Sequence, residues 1–265
     1  MTLSFALGLL ALGICVGLLS SALGLGGGIL MLPAFVTFIA TMDPHTAKGT
    51  SLFIIIFVAL FNAGRHLRDM NHMPWRSVLY LALGSIVGSF LGAWVTSRLP
   101  DRLVLVVFIL LLILLAFRTF YLKQRVVHES QVRRRLGLSL VIGFVVGIVG
   151  GATGTGGGIV LIPLVLVAGI ASNSFVVGLS NMVMVFTSLA GSVAHLLAPP
   201  VHPGPWIIGH INFALVPLVF LGAQVGSEIG HRLNHHITLR RRRILMGALL
   251  ILIILRLSYQ LWTTG

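Results

Sequence analysis

The chain has 265 residues, 57% of them hydrophobic and 9% charged, with a mean hydropathy of +1.06. Soluble domains carry about 25% charged residues, so this composition excludes a water-soluble enzyme or binding module and reads as an all-α integral membrane protein. The net charge of +13 does not point to nucleic acid, because the basic residues are placed as membrane topology requires. A single cysteine, Cys15, excludes an intrachain disulfide framework. The start, Met1-Thr2-Leu3-Ser4, has no basic n-region, so no signal peptide is expected.

Hydropathy predicts five apolar segments in each half. In the first half they are roughly 3–23, 29–42, 47–64, 75–97 and 102–121. In the second they are 137–150, 158–170, 174–197, 206–230 and 244–262. A first transmembrane repeat (1–122) is thus joined by a basic linker (123–136) to a second (137–265). Segments 29–42, 137–150 and 158–170 hold 14, 14 and 13 residues, or about 20 Å of helix. That is short for a hydrocarbon core that needs about 20 residues.

The short segments flank a stretch that occurs twice. Gly24-Leu25-Gly26-Gly27-Gly28-Ile29 and Gly154-Thr155-Gly156-Gly157-Gly158-Ile159 lie 130 residues apart, and Pro33 and Pro163 keep the same spacing. Glycine costs a helix about 1 kcal/mol relative to alanine, so each cluster breaks one. In a bilayer, broken backbone is tolerated only where protein or a water-filled cavity covers it. Each half is therefore expected to open with a Gly-rich helical hairpin whose tip lies mid-membrane. A helix starting there aims free N–H groups and a positive dipole end into the gap, as an anion site needs. The alternative is close helix crossing at small residues.

A second correspondence, at a spacing of 138, aligns Gly84, Gly88 and Gly92 with Gly222, Gly226 and Gly230. Glycines at i, i+4 and i+8 line one helix face, and the expected role is helix packing. The shift from 130 to 138 implies an eight-residue insertion, placed between Leu197 and Trp206.

Lysine and arginine set the orientation. With each hairpin counted as two segments or none, one side holds 14 of the 18 basic residues, among them Arg65, Arg133 to Arg135, Arg232 and Arg240 to Arg243. The other side holds Lys48, Arg98, Arg102 and Arg256. The positive-inside rule makes the richer side cytoplasmic and both termini periplasmic. The two halves are then inverted with respect to each other, the plan of secondary transporters.

Candidate ligand groups follow the glycines. Thr50-Ser51 and, 130 residues on, Ser180-Asn181 open the next segments, and Thr153 and Thr155 lie inside the second cluster. Such groups can donate to an anion or back-bond to their own helix. Glu228 is the one acidic residue within an apolar segment. It is a candidate for proton coupling, or a partner for Arg232 one turn away. Asp43 and Asn173, equivalent across the repeat, are expected to cap helices. The ten histidines bring no HExxH or paired-cysteine pattern, so no metal and no cofactor is expected.

The paired GxGGG-I-hydrophobic-P stretches, Thr50-Ser51 and the GxxxG segments resemble the sulfite/sulfonate exporter family of the TauE/SafE type, over nearly the whole chain. The resemblance implies an inner-membrane carrier, not an enzyme, of small organosulfur anions such as sulfite, sulfonates or sulfoacetate, acting mostly in export. Its partners would be that anion, membrane lipids and a proton or other coupling ion, with no nucleic acid. Carried over by position, the substrate-binding residues would be Gly24, Gly26, Gly27, Gly28, Thr50, Ser51, Thr153, Gly154, Thr155, Gly156, Gly157, Gly158, Ser180 and Asn181. Glu228 is not part of the family pattern. An anion channel of the same architecture, or a histidine-based membrane metalloenzyme, are the alternative readings.

Overall fold

A computed structural model describes residues 3–23, 28–39, 42–66, 73–121, 127–234 and 239–263. Among them the first half forms α1 (Leu3–Leu23), α2 (Met31–Phe38), α3 (Pro44–His66), α4 (Trp75–Thr96) and α5 (Asp101–Tyr121). The second half forms α6 (Leu136–Thr153), α7 (Gly158–Val167), α8 (Val176–Leu196), α9 (Val216–Asn234) and α10 (Leu239–Thr263). Two short strands, β1 (Ile207–Ile208) and β2 (Ile211–Asn212), pair antiparallel between α8 and α9. Seven of the helices are long and apolar enough to cross a membrane: α1, α3, α4, α5, α6, α8 and α10. Outward-facing Leu110, Leu114, Phe117, Leu252 and Leu255 are more than half exposed, as lipid-facing side chains of a multi-pass membrane protein are.

The packing is reciprocal between the halves. α4 lies along α6, and α1 lies along α9, so the first helix of each half pairs with the fourth helix of the other. The glycine stripes are the reason. A Cβ built on Gly84, Gly88 or Gly92 would run into the carbonyls of Leu140, Phe144 and Ile148 in turn. One on Gly222, Gly226 or Gly230 would meet those of Leu10, Ile14 and Leu18. α6 and α1 answer in kind, with Gly143 and Gly147 against Leu81 and Ser85, and Gly13 and Gly17 against Val219 and Ala223. Without a hydrophobic force between helices in lipid, this close backbone approach supplies the dispersion energy that holds them.

Three expectations need correction. α6 runs 18 residues, not 14, and is one of the seven candidate spans. Gly150 and Gly151 stay helical because Gly157 and Ser89 backbone lie against them, leaving no space for a Cβ; packing overrides propensity here. The segment expected over 206–230 starts its helix at Val216, since Ile207 to Asn212 turn back at Gly209 (φ +58). A two-residue turn with glycine leading is a hairpin signal that hydropathy does not register. Asp43 does cap α3, accepting from the Thr46 N–H at 2.9 Å, with Pro44 at the first helical position. Asn173 does not cap α8; its Oδ1 accepts from Val127 N at 2.7 Å and ties down the linker.

Chain ends of the short pairs reveal direction. The loop after α7 touches the linker before α6: Arg133 N donates to Gly169 O at 2.8 Å, and Ser174 Oγ to Glu129 Oε1 at 2.7 Å. Similarly, Phe5 near the start of α1 shares a cavity with Ile39, Met42 and Asp43 after α2. In each pair the two outer ends thus lie close together. His45 Nε2, on the first turn of α3, sits 3.1 Å from Asp101 Oδ1 at the start of α5, and the linker follows the other end of α5.

A candidate anion site at the second glycine turn

α6 ends at Thr153, and the chain turns through Gly154 (φ +74), Gly156 (φ +69) and Gly157 (φ +78) before α7 begins at Gly158. L side chains rarely adopt this left-handed backbone, so the glycines are required by geometry. Gly157 is the N-cap of a ten-residue helix, which puts the positive end of α7 at the turn. From the first half, Gly28 comes so close that a Cβ on it would strike the Thr155 carbonyl and the Ile55 side chain. Gly24, Gly26 and Gly27 lie outside the described residues.

Most of the remaining sequence candidates gather here. Ser51 Oγ donates to Gly154 O at 2.9 Å, and Ser180 Oγ reaches Gly158 O at 3.5 Å. Thr153 Oγ1 donates to Val149 O at 2.6 Å, back-bonding within α6, and lies 3.0 Å from Thr155 Oγ1. Two candidates are engaged elsewhere. Thr50 Oγ1 accepts from Asn212 N at 3.0 Å and anchors the β-pair, and Asn181 Nδ2 donates back to Val177 O at 3.1 Å. Glu228 is at the rim, with Oε2 at 2.7 Å from Arg65 Nη2 and Oε1 at 3.3 Å from Arg232 Nε. The sequence reading foresaw the Arg232 partner; Arg65 comes from α3.

Sequence reasoning missed a buried basic cluster beside the turn. Lys48 is fully buried, and its stem covers Gly154: a Cβ there would come within 3.0 to 3.1 Å of Lys48 Cα, Cβ and Cγ. His45, one turn earlier, faces Leu99 O at 2.9 Å and Asp101 Oδ1 at 3.1 Å through Nε2; both are acceptors, so that nitrogen carries the proton. His195 Nδ1 and His210 Nδ1 are 3.1 Å apart, which requires one of the two to be protonated. His210, between α8 and α9, is pushed down to about 4, by burial first and by neighbouring His45 next, and is neutral at physiological pH. Among the described residues no group of three or more His, Cys, Asp or Glu is placed to hold a metal. The signal was readable in part, since His45 and Lys48 are one turn apart, but Lys48 looked like a loop charge at a segment end.

Comparison with known proteins points to membrane transporters. The chain is 27% identical to the "Probable membrane transporter protein YunE" of Bacillus subtilis, across 95% of this chain and 97% of that one. It is 26% identical to a protein of Methanocaldococcus jannaschii that also bears a membrane-transporter name, with 91% of each chain covered. A third such protein, from Haemophilus influenzae, is 26% identical with 81% of each covered. No solved structure matches. The family profile described as sulfite exporter TauE/SafE matches residues 9–257. The chain belongs to the sulfite exporter TauE/SafE family of membrane transporters.

Proposed function

We propose that the protein is a secondary transporter exporting small organosulfur anions (sulfite, sulfonates or sulfoacetate) across the inner membrane. The anion binds near mid-membrane between the two glycine clusters of a chain built as two inverted repeats, and it is carried by alternating access. The observation that carries this reading is the meeting of Gly28 with Thr155 at a turn of three left-handed glycines, against the start of α7. Opposed helix breaks of this kind form the ion sites of transporters. The family's description as sulfite exporters supports the substrate class and the direction.

Inversion is supported by the short pairs, which open to opposite faces. It is also supported by charge, since Arg65, the linker arginines and Arg232 gather on one face. That face is cytoplasmic by the positive-inside rule, which puts both termini in the periplasm. A single cysteine at Glu129, introduced after Cys15 is replaced, is expected to resist an impermeant thiol reagent in intact cells and to label after permeabilisation. Ready labelling in intact cells would reverse the orientation. The double ion pair of Glu228 favours a tie between α3 and α9 over proton coupling, because both oxygens are already engaged.

Reconstituted protein tests the transport reading. Vesicles preloaded with sulfite or sulfoacetate should take up labelled anion faster than empty vesicles, as exchange through a carrier demands. Equal rates would indicate a channel of the same architecture. No flux of either anion would refute the substrate class.

A further inference from the structure

The turn is not closed off by the groups already described. Ser188 Oγ is fully buried and without a hydrogen-bond partner, and it would lie 2.8 Å from a Cβ on Gly156. Ser192 Oγ and His195 Nε2 are likewise buried and unpartnered. Spacings of four and three put Ser188, Ser192 and His195 on one face of α8. Three unpartnered polar atoms thus form a seam from the glycine turn to the histidine pair. A buried polar group without a partner is costly, so such a seam in a membrane protein calls for a ligand.

Lys48 stands opposite. It is 0% exposed, and its Nζ has one long contact, 3.5 Å from Thr96 O. Both carboxylates of its surroundings are engaged with other groups, Asp101 with His45 and Asp43 with His202. Facing it from the remaining elements are His195 of α8 and His210 of the β-pair. Adjacent Gly49 touches both of these histidines: a Cβ on it would be 3.2 Å from His195 Cβ and would strike His210 O. Asp101 and Asp43 act on the amine only through space, with no direct ion pair to it among the described residues, and a buried charge without a close partner is costly.

We propose that Lys48 and the Ser188–Ser192–His195 seam form the seat of the transported anion beside the second glycine turn. Lys48 supplies the counter-charge, and the seam donates hydrogen bonds to the anion's oxygens. This rests on the carrier reading above and names the groups that would recognise an oxyanion. The competing role for Lys48 is structural, capping the last carbonyls of α4, where cations are favoured.

The test uses the full chain purified in detergent, with sulfite and sulfoacetate as probes, read by calorimetric titration and by thermal melting. Lys48→Met keeps the length of the side chain and removes its charge. Its melting temperature without anion should equal or exceed that of the wild type, because a buried charge has been replaced by an apolar group. Its anion affinity should fall about tenfold to a hundredfold, the worth of a charged hydrogen bond. Ser188→Ala removes a hydroxyl that holds nothing in the fold, and should weaken binding roughly fivefold with melting unchanged. If the wild type binds neither anion, the carrier reading fails and this proposal with it. If the wild type binds and Lys48→Met binds equally well, the carrier reading stands and the proposal is overturned. A lower melting temperature with unchanged affinity would identify Lys48 as a cap for α4 instead. Should Lys48→Met not fold, unchanged affinity in Ser188→Ala would overturn the proposal.

Discussion

Valine at Gly156 or Gly157 is expected to abolish anion exchange while leaving protein in the membrane. Both glycines have left-handed backbone, at φ +69 and +78, where an L residue pays about 1–2 kcal/mol and a β-branched one is a severe outlier. Space is the second obstacle. A Cβ on Gly156 would come within 2.8 Å of Ser188 Oγ and 3.1 Å of Ile55 Cγ2, and one on Gly157 within 2.7 Å of Val146 Cγ1. The Gly156 contacts are with side-chain ends that can shift, so that variant should keep its fold; Gly157 also faces the Val146 backbone carbonyl at 2.9 Å, so its variant should leave less folded protein in the membrane. The turn that presents the start of α7, however, would be displaced or filled. Exchange of sulfite in proteoliposomes, measured against the amount of inserted protein, gives the result. Normal exchange by both variants would show that these glycines only pack, and that the anion binds elsewhere.

The largest loss of stability is expected at the helix seams. Gly226→Leu and Gly88→Leu each drive a side chain into a backbone carbonyl of the partner helix, Ile14 for the first and Phe144 for the second. Backbone in a helix cannot move aside as a side-chain tip can, so the helices must separate along their length. Overpacking costs about 1–3 kcal/mol even where side chains can rearrange, and here the loss should reach or exceed the upper end. Gly8 is the internal control: it is exposed on α1 and a Cβ there meets nothing within 4 Å. Gly8→Ala should therefore be neutral or gain up to about 1 kcal/mol from helix propensity. Melting in detergent separates these outcomes, and a Gly226→Leu variant that melts with the wild type would refute the seam.

The seams were legible before the structure because they depend on spacing. Gly84, Gly88 and Gly92 repeat at one turn each, and a face without side chains in an apolar helix has little use except close approach. The turn at Gly154 to Gly158 was legible for a related reason, since several glycines together leave a helix few ways to continue. Where the reading fell short, distant segments decided. Gly150 and Gly151 count against a helix locally, yet α4 and the turn hold them in one. Lys48 counted as a topological charge because it stands at a segment edge. Its burial comes from neighbours far along the chain, among them Gly154, Thr96 and the β-pair. Ser188, Ser192 and His195 did show a helical spacing, but within an apolar run a hydroxyl that back-bonds and one that is unpartnered look alike.

The exchanged packing of first and fourth helices constrains how a transport cycle can proceed. A rocking of residues 3–121 against 136–263 as two rigid blocks would slide α1 along α9 and α4 along α6, tearing carbonyls out of both rows of glycines at once. The units able to move without that loss are hybrids, each carrying helices from both halves. One is built around α1 and α9, sharing its apolar core with α2, α3, α5 and α10 and touching the other body at Ile159 and Met184. The other is built around α4 and α6, sharing its core with α7 and α8. Gly28 enters with the first hybrid and Thr155 with the second, so their contact lies on the boundary along which these bodies would part.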